Sequence, residues 1–316
     1  MDANCEYAEE LYDLTSLRVL QWIYIITSIA SIFLVVYTAR HYLHMSIFEN
    51  VTKELIIALY VLIAIHSVSL ALVQGSQLFY RYTALTKCEA QSPKMWCIFR
   101  YIAVVIIWSF AILHIGITLQ HLLSSFLFGV RIQKIVSRMT IIISFLFSLV
   151  CGILAFYQES LEGRTAYCAG FTVHSERILM FNLYFVLILD ILNTLASLLL
   201  WKHNRQKLLA EQSYDLSRSF HRRQNVYAME QFLPIAALNS TFYVVFFLTV
   251  YFSQALKSRM SPGWYLFTSV VASVQPYYCL LCPLILLVLI RRGRFKRFAH
   301  VHSMVHPVKT PNEVSY

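Results

Sequence analysis

Three ionisable side chains, His66, His114 and Asp190, stand inside otherwise apolar stretches, and with the amides Asn182, Asn193, Asn239 and Gln275 they are the groups able to do chemistry there. Two imidazoles and a carboxylate are ligands for a hydrolytic metal, but such a site needs several of them converging at one depth. Here they are single residues in separate stretches, with no paired-histidine motif. The same three residues can line a polar path, the chemistry of a channel or transporter. Their plainer role is hydrogen bonding between helices. Asp190 and Asn193 are three residues apart and share one helical face, which suits either an interhelical bond or a conformational switch. The tail segment HVHSMVH carries His300, His302 and His306, and on a short polar tail these read as solvated histidines. No catalytic residue, metal or cofactor is assigned, and the chain is not read as an enzyme.

A second group of residues suggests mechanics instead. The segment SVQPYYCLLCPLILLVLIRRGRFKRF puts Pro276 and Pro283 inside an apolar run, with Tyr277 and Tyr278 between them. A proline inside a helix removes one backbone hydrogen bond and bends the axis. Two of them seven residues apart predict kinks that open toward similar sides. Arg291, Arg292, Arg294, Lys296 and Arg297 then close the run, and Phe295 and Phe298 among them predict a short helix along a membrane surface. The pattern fits a relay from a pocket at one end of a bundle to a basic surface at the other, although a static transporter helix carries the same kinks.

These residues need long apolar elements to position them, and the composition supplies them. Of the 316 residues 58% are apolar and only 13% charged, more apolar matter than a water-soluble core of this size can hide. Spans are expected at about 19–39, 55–80, 101–130, 139–158, 178–201, 231–256 and 260–290, each meeting the requirement of about 20 residues for a crossing helix. None shows the alternation of a membrane β-strand. The predicted fold is all-α, an integral membrane seven-transmembrane bundle over residues 19–290, with an extracellular head at 1–18 and a cytosolic tail at 291–316. The head carries five acids and no basic leader, so the first span is expected to act as its own insertion signal.

Charge sets the expected orientation. With the N-terminus outside, 17 of the 26 Lys and Arg residues fall in cytosolic segments, and the net charge of +10 sits almost wholly on that face. Such a face meets anionic membrane lipid or an acidic cytosolic partner. Nucleic acid is not needed to explain the basicity, and none is assigned as a partner. The longest cytosolic segment, 202–230, has the pattern of helical extensions of the fifth and sixth spans with a turn near Ser213–Asp215.

Four of the seven cysteines, Cys5, Cys88, Cys97 and Cys168, fall on the predicted exterior, where disulfides form. A bridge from Cys97 to Cys168 would pin the loop after the fourth span over the bundle mouth, with Cys88 the rival partner. Cys151, Cys279 and Cys282 read as packing residues. The sequons at Asn50 and Asn239 fall in a cytosolic loop and inside a span, so neither is expected to carry glycan.

Four segments carry a resemblance. They are KCEAQSPKMWCIFR, with Cys88, Cys97 and Arg100; TLQHLLSSF, with Gln120 and His121; YDLSRSFHRRQNVYAMEQFLP, with Gln224 and Asn225; and QPYYCLLCP, with Pro276 and Pro283. In order and spacing they resemble the nematode serpentine chemoreceptors of the Sra superfamily, classes alpha and ab. The resemblance implies a G-protein-coupled receptor for environmental chemicals, in the plasma membrane of the sensory cilium of chemosensory neurons. Gln120 and His121 depart from that family's Glu-Arg pair, and Gln224 from its Glu, so an ionic latch at the inner end of the third span is not expected.

On this reading a small-molecule ligand enters an outer pocket. Depth alone selects Tyr101, Trp108, Asn182, Tyr251, Tyr265 and Phe267 as its lining. A heterotrimeric G protein would meet Gln120, His121, Arg131, Arg222, Arg223, Arg291 and Arg292. Asp190, Asn193, Pro276, Tyr277, Tyr278 and Pro283 are the expected switch between the two.

Overall fold

Long apolar runs can satisfy their backbone in lipid only from within, and here each is helical. The computed structural model describes residues 3–41, 43, 49–126, 128–168, 175–210 and 216–305. The helices are α1 (Ala3–Asp13), α2 (Thr15–His41), α3 (Asn50–Thr83), α4 (Cys97–Ser125), α5 (Val130–Phe156), α6 (Glu176–Ala210), α7 (Leu216–Leu256), α8 (Pro262–Val271) and α9 (Gln275–Val305). A short antiparallel ladder pairs β1 (Ser92–Pro93) with β2 (Arg164–Thr165). Helices α2 to α7, together with the joined α8 and α9, make seven spans. The all-α membrane bundle expected from the composition is the fold.

Burial is inverted relative to a soluble protein. Asp190, Asn239, His114 and Ser31 are fully enclosed, while Phe33, Phe181, Leu149 and Leu199 are exposed on the helix surfaces. That is the arrangement lipid demands, since polar groups find partners only inside the bundle. Helix α4 lies at the centre and touches α3, α5, α6 and α7. Its close approach to α5 depends on small residues, because a Cβ at Gly116 would strike Thr140 and one at Gly152 would strike Val105.

Two boundaries differ from expectation. The third span ends at Ser125, and Gly129 caps α5, so Arg131 lies in the first turn of α5. The apolar Phe126 and Phe128 concealed that turn. The acidic head contains a helix, α1, which lies against α8, with Glu10 accepting hydrogen bonds from Ser261 (2.5 Å) and the Gly263 amide (3.1 Å). A carboxylate there complements the partial positive charge of the α8 N-terminus. The expected turn near Ser213–Asp215 and the side chains of the tail histidines lie outside the described residues.

The largest correction concerns the seventh span. It does not bend at two interior prolines: the helix breaks across Ala272–Val274, and Pro276 sits in the first turn of α9, where its missing N–H costs nothing. Within this span only Pro283 is interior to a helix, and α7 has its own interior proline, Pro234. The helix continues through the basic cluster to Val305, with no separate surface helix.

Neighbouring helices supply the bonds that the break and the proline remove. The Tyr24 hydroxyl of α2 lies 2.7 Å from the Val270 carbonyl, just before the break, and 3.1 Å from that of Ser273 within it. Pro283 cannot donate to the Cys279 carbonyl four residues earlier, and Ser31 Oγ donates to it instead at 2.8 Å. Ser31→Ala should therefore leave a buried carbonyl unpaired and cost about 1–3 kcal/mol. Thermal unfolding of the purified protein in nanodiscs measures this, and an unchanged midpoint would mean that the helix re-forms its own bond despite Pro283.

Candidate functional site

Polar groups converge at both ends of the bundle. At the end that carries α1 and α8, Cys97 in the first turn of α4 is disulfide-bonded to Cys168. Cys88, the alternative partner, is held in a separate disulfide. The bridge and the β1–β2 ladder hold the loop after α5 over the bundle. Tyr167, next to Cys168, is buried there and accepts a hydrogen bond from Gln74 Nε2 at 3.1 Å. Burial pushes the Tyr167 hydroxyl's pKa up, against the opposing influence of Arg100, and keeps it neutral.

Beneath this loop lies a cavity of about 30 Å³, room for the centres of a water or two. Its walls come from α3, α4, α6, α7 and α8: His66, Arg100, Trp108, Leu179, Phe246 and Ser269 are among them, and Ser273 at the helix break completes one side. The lining is apolar apart from two serines, one imidazole and one guanidinium.

Of the six lining residues selected by depth, Trp108 faces this cavity. Tyr101 instead stacks on Phe156 (centroids 4.1 Å apart) along a groove of about 560 Å³ between α3, α4 and α5. Asn182 points toward Cys151 of α5. Tyr251 lies half-exposed beside Phe247, Tyr265 sits under the Lys257 ammonium, and Phe267 meets Trp264 edge-on. Depth fixes the layer of a residue but not the helix face, which explains the scatter.

At the opposite end, α4, α6 and α7 are joined by one hydrogen-bond network. His121 Nδ1 and Asn225 Oδ1 are 2.9 Å apart, and Asn225 Nδ2 donates to the His121 carbonyl (3.2 Å) and to Ser125 Oγ (2.9 Å). Asn204 Nδ2 donates to the same Ser125 Oγ at 2.6 Å. With Asn225 Nδ2 committed to two acceptors, its Oδ1 must accept, which places the imidazole proton on Nδ1. The closure leaves a crevice of about 10 Å³ beside His121 and Asn225. A hydrogen-bonded imidazole–amide network thus occupies the place of the family's Glu-Arg pair, where the sequence predicts no ionic latch.

Gln120 turns the other way and ties α4 to α5 through Gln133 Oε1 at 2.5 Å. Among the expected basic contacts, Arg131, Arg223, Arg291 and Arg292 are exposed and Arg222 is buried. Asn204 was not singled out from the sequence, because one Asn among charged residues carries no distinguishing pattern.

Most mid-bundle polar groups have a partner on another helix, whereas both side-chain polar atoms of Gln275 and the Asn193 Nδ2 are enclosed without one among the described residues. Asp190 accepts from Asn239 Nδ2 (2.7 Å) and from Ser240, which locks α6 to α7. Ser240 also pairs with Thr194. Tyr278 hydroxyl meets His114 Nε2 at 3.0 Å, and Cys279 Sγ meets His66 Nδ1 at 3.5 Å. Tyr277 packs edge-on against Tyr24. Asn193 is buried but does not join the Asp190 cluster, although it shares a helical face with it.

A comparison with curated proteins gives no match. A family model described as the serpentine type 7TM GPCR chemoreceptor Sra matches residues 2–315, nearly the whole chain. Seven spans, the disulfide at the start of the third and this match together place the protein: the chain belongs to the Sra family of serpentine seven-transmembrane chemoreceptors.

Proposed function

We propose that this protein is a chemosensory G-protein-coupled receptor of the plasma membrane, sited in the sensory cilium, with its N-terminus outside and its C-terminus in the cytosol. The observation that carries the reading is the pairing, within a chain of this family, of a walled cavity at the disulfide end with a closed polar network at the basic end. A small molecule binds in the cavity, with Trp108 as one wall. Binding shifts α7, α8 and α9 about the break at Ala272–Val274, where the continuous helical ladder is already interrupted. The network at His121 and Asn225 then opens to a heterotrimeric G protein, and the exposed Arg131, Arg223, Arg291 and Arg292 meet its acidic surface and the anionic lipid around it. A ligand drives this only by binding the open arrangement more tightly than the closed one.

The test is nucleotide exchange on a panel of Gα subunits by the receptor in nanodiscs, with a library of small odorants. The triple change Arg131→Ala, Arg223→Ala and Arg292→Ala should weaken exchange by roughly tenfold or more, as expected when several charge contacts are removed from one interface. Failure of every Gα to respond, with an ion current through the same reconstituted protein, would favour a channel using His66, His114 and Asp190.

A further inference from the structure

Arg100 is a charged side chain that the bundle encloses without a counterion among the described residues. It lies one turn into α4 from the disulfide and is 6% exposed. Among the described residues no carboxylate lies within ion-pair distance of its guanidinium, and no hydrogen bond from the guanidinium is formed; its Nε is fully enclosed without a partner. Groups within its electrostatic reach include Tyr24, His66 and Tyr167. The two tyrosine hydroxyls are already engaged, one on the Val270 and Ser273 carbonyls and the other by Gln74.

Burying a cation among neutral groups is costly, and a fold bears that cost when an anion completes the site. The guanidinium lines the cavity under the Tyr167 loop. Its planar fork matches a carboxylate in two parallel hydrogen bonds. The rest of the lining, Ile107, Trp108, Leu179, Leu183 and Phe246, gives a ligand's body only apolar contact. A dianionic phosphate would leave one charge uncompensated there, whereas a monocarboxylate is neutralised by the single arginine.

We infer that this cavity takes a small organic monocarboxylate: the space present, about 30 Å³, admits the anionic head on Arg100, and the aliphatic or aromatic body is seated against Trp108, Leu179 and Phe246 as α8 moves about the break at Ala272–Val274. The inference rests on the receptor reading for its consequence in signalling, since the bound acid is then the agonist. It also narrows the expected ligand from a small molecule of any class to an acid.

The experiment compares hexanoate and benzoate with hexanamide and benzamide as probes, by thermal shift of the full chain in nanodiscs at constant ionic strength, with chloride as the control. The acids should raise the midpoint and the isosteric amides should not. Arg100→Gln should weaken the acids by roughly 10- to 100-fold, the range for one lost charge-assisted interaction, and Arg100→Lys should retain part of the effect. Trp108→Ala should weaken binding while keeping the preference for acid. Equal shifts by acids and amides, no shift by either acid, the same shift by chloride, or an acid shift that survives Arg100→Gln would overturn the site. Should Arg100→Gln fail to fold, the wild-type acid–amide comparison and Arg100→Lys decide. Gα exchange on the same preparations separates the two readings: acids that bind without exchange on any Gα leave the site standing and sink the receptor, and exchange driven by neutral odorants alone does the reverse.

Discussion

The paired change Cys97→Ala and Cys168→Ala is expected to destabilise the folded protein by about 2–4 kcal/mol and to cut its surface expression severely. The bridge closes a segment of 71 residues that includes α4 and α5. A free chain of that length would gain more freedom on opening, but both helices stay inserted and helical in the membrane, which holds the expected loss within this range. The effect on binding should be larger than that on stability. Without the bridge, the two-residue ladder, the hydrogen bond to Gln74 and apolar packing against neighbours such as Leu70 and Val73 remain to hold Tyr167 near Arg100. Thermal midpoints and ligand shifts of the double variant measure both effects. A variant that keeps the wild-type midpoint and ligand response would show that these remaining contacts position the loop.

The seven spans and the disulfide were legible because each follows from a coarse property. Apolar length dictates a crossing helix, and two cysteines near span ends on the same side of the bundle favour a bridge. The α8–α9 break was harder to read, because Pro276 suggests a kink until the break before it is known; what makes the break tolerable is Tyr24, 246 residues away in sequence from Val270. Ser31 opposite the Cys279 carbonyl is a similar case, since neither residue predicts the other across 248 positions. Helix α1 was missed because its acids obscure a short helical segment that is anchored through Glu10 to the start of α8.

The site was legible in kind more than in residue. Depth assigned six lining positions, but helix rotation decides which side chains face inward, and this brought only Trp108 to the cavity. Arg100 stood in a quoted motif without a role, because a sequence does not reveal that a cation lacks a counterion. Asp190 illustrates the opposite outcome. Its partners Asn239 and Ser240 lie one helix away, and the interhelical hydrogen bond, the plainer of its two expected roles, is what the bundle forms.

Asn225→Leu is expected to raise ligand-independent G-protein exchange by roughly tenfold or more at matched surface expression, the change that follows from about 1.4 kcal/mol or more of lost bias toward the closed arrangement. Asn225 makes three contacts that hold α7 to α4, and its loss frees Ser125 and the His121 imidazole together. Leucine is close to asparagine in size, so the change removes hydrogen bonds while keeping the packing of the buried position. In an ionic latch, salt would weaken the closure; in this uncharged one, exchange should be nearly independent of ionic strength apart from the contribution of the exposed arginines. Ser125→Ala should act in the same direction with a smaller effect, because Asn204 and Asn225 both lose one acceptor while the bond between His121 Nδ1 and Asn225 Oδ1 survives. Lower basal exchange in the Asn225 variant, with wild-type expression and midpoint, would place the network in the active arrangement instead, and His121 would then be part of the surface the G protein reads.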